Sequence, residues 1–473
     1  MVFSSTYFAF LFLPAALLLC LITPKKLHNY ILLAASVYFY AYGEPVFVWV
    51  VLGSALLNWV LALGMDKAQG NGRKGYLIAA LVIDLGILFV CKYLDFCIAT
   101  VNSLVSAELP LPGIRLPIGI SFYTFQIISY MIDVYRGQVE SQKNFFYLAL
   151  YIMFFPQLIA GPIVRYYSIA EQIGNRKMTI AGIGIGAKRF IYGFAKKILL
   201  ANQAALIVSQ CMRFGETGYL PVSTLWLGAA AFTLQIYFDF SGYSDMAIGL
   251  GRMFGFRFEE NFDHPYTAKS VTDFWRRWHM SLSYWFRDYV YIPLGGNRVS
   301  LPKQIRNLFV VWLLTGIWHG ANFTFIFWGL GYFVLLCLER YVIKPEDKPG
   351  IFRAVYRVLT LAAVCLLFVM FNAPDVGSGL RYIAALFGAG TNPAGFADAG
   401  FLQILNENAL ILAGACVFAS GLPVLAAKQL RRIRVFNRWV FPLVVPVVCV
   451  FLFLWSASYL IMGAHNPFIY FNF

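Results

Sequence analysis

The chain reads as an all-α polytopic membrane protein built from about 11–13 membrane segments, re-entrant pieces included. Three features say so. Of its 473 residues, 60% are hydrophobic, 18% aromatic and only 12% charged, which leaves too little polar surface to cover a water-soluble globule. Apolar runs recur from end to end, roughly a dozen if about 20 residues cross one bilayer core. Lys and Arg fall in short loops between those runs, as positive-inside topology requires. The formal charge of +15 therefore has no single basic face behind it and does not indicate nucleic acid.

In chain order, the run Tyr7 to Ile22 has no Lys or Arg before it and no small-residue cleavage site after it. It reads as a retained helix rather than a signal peptide, so the mature chain is expected to begin near Met1. Taking Lys25-Lys26, Asp66 to Lys74, Arg252 to Arg306, Lys344 to Arg357 and Lys428 to Arg434 as cytosolic gives a consistent alternation of spans. The N-terminus, Asn372 to Asn408 and the C-terminal tail then lie outside. The basic segment Arg165 to Lys197 falls on the wrong side if Phe145 to Ile163 crosses the membrane. Pro156, Gly161 and Pro162 interrupt that run, so it is expected to dip in and return.

Several chemistries find no support. The eight Cys are scattered through apolar runs without a CxxC pair, and the five His lack metal-ligand spacing, so neither disulfides nor a metal site is expected. No phosphate-binding glycine loop and no internal repeat occurs.

Polar sequence concentrates in the central third. Gln235 to Asp245 sets Asp239, Ser241, Tyr243 and Asp245 inside an apolar run from Leu225 to Leu250, where such groups must face protein or water. On a helix Asp239 shares a face with Tyr243 and Ser241 with Asp245. A satisfied structural network is one use of them and substrate binding the other. The stretch Lys269 to Arg298 follows, with Ser270 or Thr272 as N-cap and Pro293 and Gly295 at its close. It predicts a helix of about five turns. Trp275, His279, Leu282 and Phe286 fall on one stripe, with Arg276, Met280, Ser283 and Arg287 beside it. Trp and Arg suit an anchoring helix at the cytosolic interface; alternatively Arg276, Arg277 or Arg287 attracts an anionic ligand, with His279 in the same cavity.

From Leu308 to Leu338 the chain carries no Lys, Arg, Asp or Glu, yet His319 sits in its middle within Trp318-His-Gly-Ala-Asn322. The run is too long for one span and too short for two. Two part-crossing pieces broken near Gly316 and Gly320 are therefore expected to meet at His319, near mid-depth, where irregular backbone requires protein or a water-filled cavity. An ionisable group at such depth is a functional candidate, and imidazole suits proton transfer near neutral pH.

The runs Pro117-Ile-Gly-Ile-Ser-Phe-Tyr-Thr-Phe-Gln126, Ile159-Ala-Gly-Pro-Ile163, Tyr237 to Leu250, Phe274-Trp-Arg-Arg-Trp-His279 and Trp318-His-Gly-Ala-Asn322 together resemble those of membrane-bound O-acyltransferases, most of all the membrane subunits of alginate O-acetylation. The similarity runs from Met1 nearly to the end and weakens between about Glu346 and Leu430. It implies a multi-helix bundle around a central funnel, one integral-membrane domain over residues 1–473 with a catalytic centre over 117–340 and C-terminal helices over 353–463. Carried over by motif, the family's catalytic histidine matches His319 and the upstream one His279. The resemblance further implies an acetyl group passed from a cytosolic thioester, acetyl-CoA or a loaded carrier protein, to a hydroxyl on the far side of a bacterial inner membrane. No permanently bound cofactor is implied. Since the chain offers no extracellular domain able to hold a long glycan, an extracytoplasmic partner protein is expected to share the work. D-alanyl transfer to teichoic acid is the runner-up, opposed by Pro293 to Arg298 and Ala321 to Phe325. A proton-coupled transporter is the alternative from another class, and it lacks the inverted repeat it would need.

Overall fold

The computed structural model describes residues 1–390, 395–463 and 469. Residues 391–394 and most of the C-terminal tail, both assigned to the outer face above, lie outside the described residues. The described residues form helices and no strand, the arrangement that satisfies each backbone N–H and C=O within its own segment when water is excluded. The helices used below are α1 (Phe47–Lys67), α2 (Gly70–Lys92), α3 (Ile120–Tyr135), α4 (Phe145–Met153), α5 (Ile180–Ala195), α6 (Val222–Met253), α7 (Val271–Trp275), α8 (Met280–Phe286), α9 (Leu301–His319), α10 (Phe323–Cys337) and α11 (Gly350–Asn372). Among the described residues, seven helices are long and apolar enough to cross a membrane by themselves, among them α1, α2, α11, α5 prolonged to Cys211 and α10 prolonged to Asp347. The other helices used below, α6 and α9 among them, are shorter or more polar and are not among these seven.

The helices pack as two compact units, residues 1–190 with 243–260 and residues 191–242 with 261–473. In the first, α1 and α2 form a hairpin whose buried Asn58 donates to the Asp84 carboxylate at 3.0 Å. The segment after α4 does not continue as a helix of spanning length: α4 has nine residues, about 14 Å, and every residue from Leu148 to Tyr166 is buried. Its irregular backbone is met by protein groups. Ser36 Oγ accepts from Phe155 N at 3.1 Å, and Tyr151 donates to Val164 O at 2.9 Å. Gly119, with φ +79°, lets the chain before α3 approach this segment so closely that a Cβ would lie 2.5 Å from Leu158 O. Two of the sequence runs quoted above thus meet at backbone contact, and a side chain at Gly119 is barred both by space and by conformation.

The charge pattern around residues 165–197 finds its reason here. Ile180–Cys211 is one 32-residue apolar helix, and its cations are not loop residues. Arg189 pairs with Asp245 at 2.6 Å and Glu260 at 2.5 Å within the first unit. Lys197, in the second, pairs with Asp239 at 2.6 Å. Lys197 is thus a buried, paired cation within a helix and Arg189 a paired one at its partly exposed face, so neither counts as a loop charge.

In the second unit α9 and α10 run antiparallel around a turn at Gly320–Asn322, and their contact is made by glycine. A Cβ on Gly316 would stand 2.6 Å from Phe325 O, and one on Gly329 2.5 Å from Trp312 O. Such small-residue contacts are how helices associate where lipid removes the hydrophobic driving force. The expected break near Gly316 is therefore absent, because that glycine serves packing within α9. The two legs are also longer than the uncharged run implied. α9 starts at Leu301, and the helix from Phe323 runs on as a wider turn to Ile343, taking in Lys303, Arg306, Glu339 and Arg340. α10 with its continuation is among the seven helices of spanning length and apolarity and α9 is not; the two form a helical hairpin with His319 at its turn. Gly119→Ala is expected to lower stability by about 1–3 kcal/mol, seen as a lower melting temperature of detergent-solubilised protein, whereas Gly53→Ala, with open space around it, leaves it unchanged.

Candidate active site

The five-turn helix expected over 270–293 is broken in two. α7 ends at Trp275, the chain turns over Arg276–His279, and α8 starts at Met280, passing into a wider turn over Arg287–Tyr291. His279 takes the left-handed conformation, φ 43° and ψ 52°, which no α-helix can contain. α8 folds back on α7, with Ser283 Oγ donating to Trp275 O at 3.3 Å. Both open ends lie at one end of the α10 helix: Glu339 accepts from Val271 N at 2.6 Å and Thr272 N at 2.9 Å, while Arg340 donates to Tyr291 Oη at 3.4 Å. The element is a helical hairpin with His279 at its tip, and the predicted stripe is divided between its arms.

Along the way α7 lays Trp275 into an edge-to-face cluster with Trp312, Trp328 and Tyr332, ring centroids 4.7, 5.7 and 4.9 Å away. The tip then meets the α9–α10 turn. The Trp318 ring lies 6.0 Å from that of His279 and 4.9 Å from that of His319, so the two histidines share one indole. His319 is only 4% exposed, walled edge-on by Trp328 at 4.8 Å and Phe371 at 5.3 Å. His279 is fully buried, with the Phe240 ring of α6 edge-on at 4.6 Å. It lies outside the seven apolar spans, and burial pushes its imidazole down to a pKa of about 3, which keeps the ring neutral.

A family model described as MBOAT, membrane-bound O-acyltransferase family, matches residues 36–374. The chain belongs to that family. It is 41% identical over 419 residues to the probable alginate O-acetylase AlgI of Pseudomonas aeruginosa, covering 87% of this chain and 80% of that one. Against the protein of the same name from Azotobacter vinelandii the identity is 39%, over 91% and 87% of the two chains. A peptidoglycan O-acetyltransferase of Helicobacter pylori is 33% identical, over 82% and 80%. The protein is thus a multi-pass membrane O-acyltransferase.

The other residues singled out in this O-acyltransferase divide by their contacts. Trp318 neighbours both histidines. Asn322 caps α10, accepting from Thr324 N at 3.0 Å and donating to Pro374 O at 2.9 Å, which holds the turn beside His319. Arg277 is held by Asp273 at 3.0 Å and Asp263 at 3.5 Å. Burial alone would raise the Asp273 carboxyl, but the Lys269 N–H and the Arg277 guanidinium hold it below its ordinary value. Arg287 pairs with the neighbouring Asp288 at 2.7 Å. Arg276 is exposed on the turn. The α6 residues do not gather into one network. Asp239 takes Lys197 and Ile469 N, the latter at 2.8 Å. Tyr243 stacks on Phe3 at 4.6 Å and Asp245 pairs with Arg189, both in the first unit.

Sequence reasoning missed three groups in the second unit of this acyltransferase, two of which hold the hairpin. Glu339 terminates the open N–H groups of α7 and also accepts from Tyr356 Oη at 2.9 Å; its place at the end of an uncharged run was visible, its task was not. Lys197 looked like a loop charge. Asn261, with no motif of its own, grips the tip. For the buried pair, Lys197→Met alone is expected to cost about 3–5 kcal/mol by stranding a carboxylate, and Lys197→Met with Asp239→Leu to recover most of it. Thermal unfolding of the three proteins in one detergent checks this.

Proposed function

We propose that the chain transfers an acetyl group from a cytosolic thioester, acetyl-CoA or a carrier loaded from it, to a hydroxyl on an extracytoplasmic polysaccharide or on a partner protein serving it, in a bacterial inner membrane. The observation that carries the reading is the meeting of two buried histidines beside one indole, each at the bend of a helical hairpin. The names of the relatives, O-acetylases of alginate and of peptidoglycan, support acetyl as the group and a glycan as its destination.

In this reading His319 is the general base. A neutral imidazole takes the acceptor's proton as the hydroxyl oxygen attacks the thioester carbonyl; the C–S bond then breaks, the thiolate leaves and recovers a proton, and an ester and a free thiol result. The same residue could hold the acetyl group in between, at the same ring. His279 attends to the donor, and the exposed Arg276 with Arg287 suits an anionic one. The aromatic wall excludes bulk water, which strengthens each polar interaction inside it.

Labelled acetyl-CoA supplied to membranes that contain the wild-type protein and its neighbouring acetylation proteins is expected to label the acceptor. His319→Ala abolishes that labelling at matched expression, a loss of at least about 100-fold. His279→Ala raises the donor KM while the protein stays folded. Equal labelling by wild type and His319→Ala would remove His319 from the chemistry.

A further inference from the structure

His279 is a non-glycine residue held at φ 43°, a conformation that persists only where its surroundings over-determine it. Asn261 supplies that constraint. Its backbone oxygen accepts from Met280 N at 3.0 Å, and its side-chain Oδ1 accepts from Ser281 N at 3.2 Å and Ser281 Oγ at 2.8 Å. The same Oδ1 faces His279 Nδ1 at 3.2 Å. A backbone N–H can only donate, so the Asn261 atom opposite Ser281 N must be the oxygen, and the amide has one orientation open to it. The imidazole nitrogen facing that oxygen must then carry the ring proton, and a neutral ring keeps its lone pair on Nε2. Nε2 is buried and has no hydrogen-bond partner among the described residues. A buried lone pair without a donor is costly to maintain unless a ligand supplies one.

We propose that Asn261 is a positioning residue that fixes His279 as the Nδ1–H tautomer and presents Nε2 to the substrate as a hydrogen-bond acceptor. His279 therefore receives an N–H or O–H group, such as an amide of the thioester donor or the acceptor hydroxyl, and does not donate to a carbonyl oxygen. This rests on the reading that the hairpin tip belongs to the transfer site.

The ionisable groups on the elements packed around His279 are few: Arg276, on the same turn, is exposed to solvent, and the others are engaged. Asp239 on α6 is paired with Lys197. Arg277, with Asp263 and Asp273, flanks the turn in one ion-paired group. The His319 ring lies 4.9 Å from the Trp318 ring that His279 also neighbours. A new charge at position 261 would thus act on His279 directly.

Asn261→Asp keeps an oxygen opposite Nδ1 and adds a negative charge, which favours the imidazolium and raises the pKa of His279. Because the neutral ring is the working form, activity is then lost as pH falls through the raised value. The ratio of kcat/KM at about pH 8 to that at about pH 6 is expected to rise about tenfold over wild type. Asn261→Leu, which leaves the tautomer unset, is expected to lose about tenfold or more in kcat/KM at every pH, with folding followed by thermal unfolding. A pH profile of Asn261→Asp that superimposes on wild type overturns the proposal, as does a folded Asn261→Leu within twofold of wild type. If Asn261→Leu fails to fold, the Asn261→Asp profile decides alone. His319→Ala in the same assay separates the two readings: full activity there sinks the transfer site, whereas an inactive His319→Ala beside an unmoved Asn261→Asp profile sinks only the role of Asn261.

Discussion

Away from water, backbone N–H and C=O groups must find partners within the protein, and this requirement governs every irregular piece of the fold. A helix satisfies it automatically, a bend does not. The chain bends inside the protein at three places, after α4, between α7 and α8, and between α9 and α10, and at each a specific group answers the exposed backbone. Ser36 and Tyr151 serve the first, Asn261 the second and Asn322 the third, while Glu339 answers the open start of α7. Without Glu339 the open N–H groups of α7 would be stranded in a buried setting, at about 1–3 kcal/mol each, and the tip bearing His279 would have no anchored base from which to reach Trp318.

Much of this was legible because it follows from composition and local pattern. Apolar runs gave the membrane class and the helices. The uncharged stretch around His319 gave that histidine its prominence, and Pro156 with Gly161 foretold an irregular path after α4. Where the reading went astray, the deciding partner was remote in sequence. The periodicity of 270–293 fits one helix well, and only a grip by Asn261, eighteen residues before His279, breaks it. The i, i+4 spacing of Asp239 and Tyr243 says that two side chains share a face, not whom they meet, and their partners Lys197 and Phe3 lie far back in the chain. Gly316 illustrates a different ambiguity: a glycine inside an apolar run breaks a helix or admits a neighbour, and only the neighbour's backbone at 2.6 Å tells which.

Two uses of charge in this chain were easy to confuse. A cation at a helix end orients a membrane protein, whereas a cation inside a helix must be matched, since an unpartnered charge in a low-dielectric setting is prohibitive. Arg189 and Lys197 lie one side and the other of the division between the packing units, each with its own carboxylate from α6. α6 therefore tolerates two acids in an apolar run because α5 and its continuation bring two bases to the same depth.

The ring wall around His319 has a bearing on fidelity. A thioester is open to attack by water as well as by a sugar hydroxyl, and water is present at a concentration no substrate can match. A base that activates one nucleophile activates the other, so selectivity cannot come from the imidazole. With His319 as the proposed base, only 4% exposed behind Trp318, Trp328 and Phe371, selectivity would come from admission: an oxygen escorted in on a bound substrate would reach it where a freely diffusing one would not. Opening that wall by trimming a ring would turn a transferase toward a hydrolase before it cost the fold.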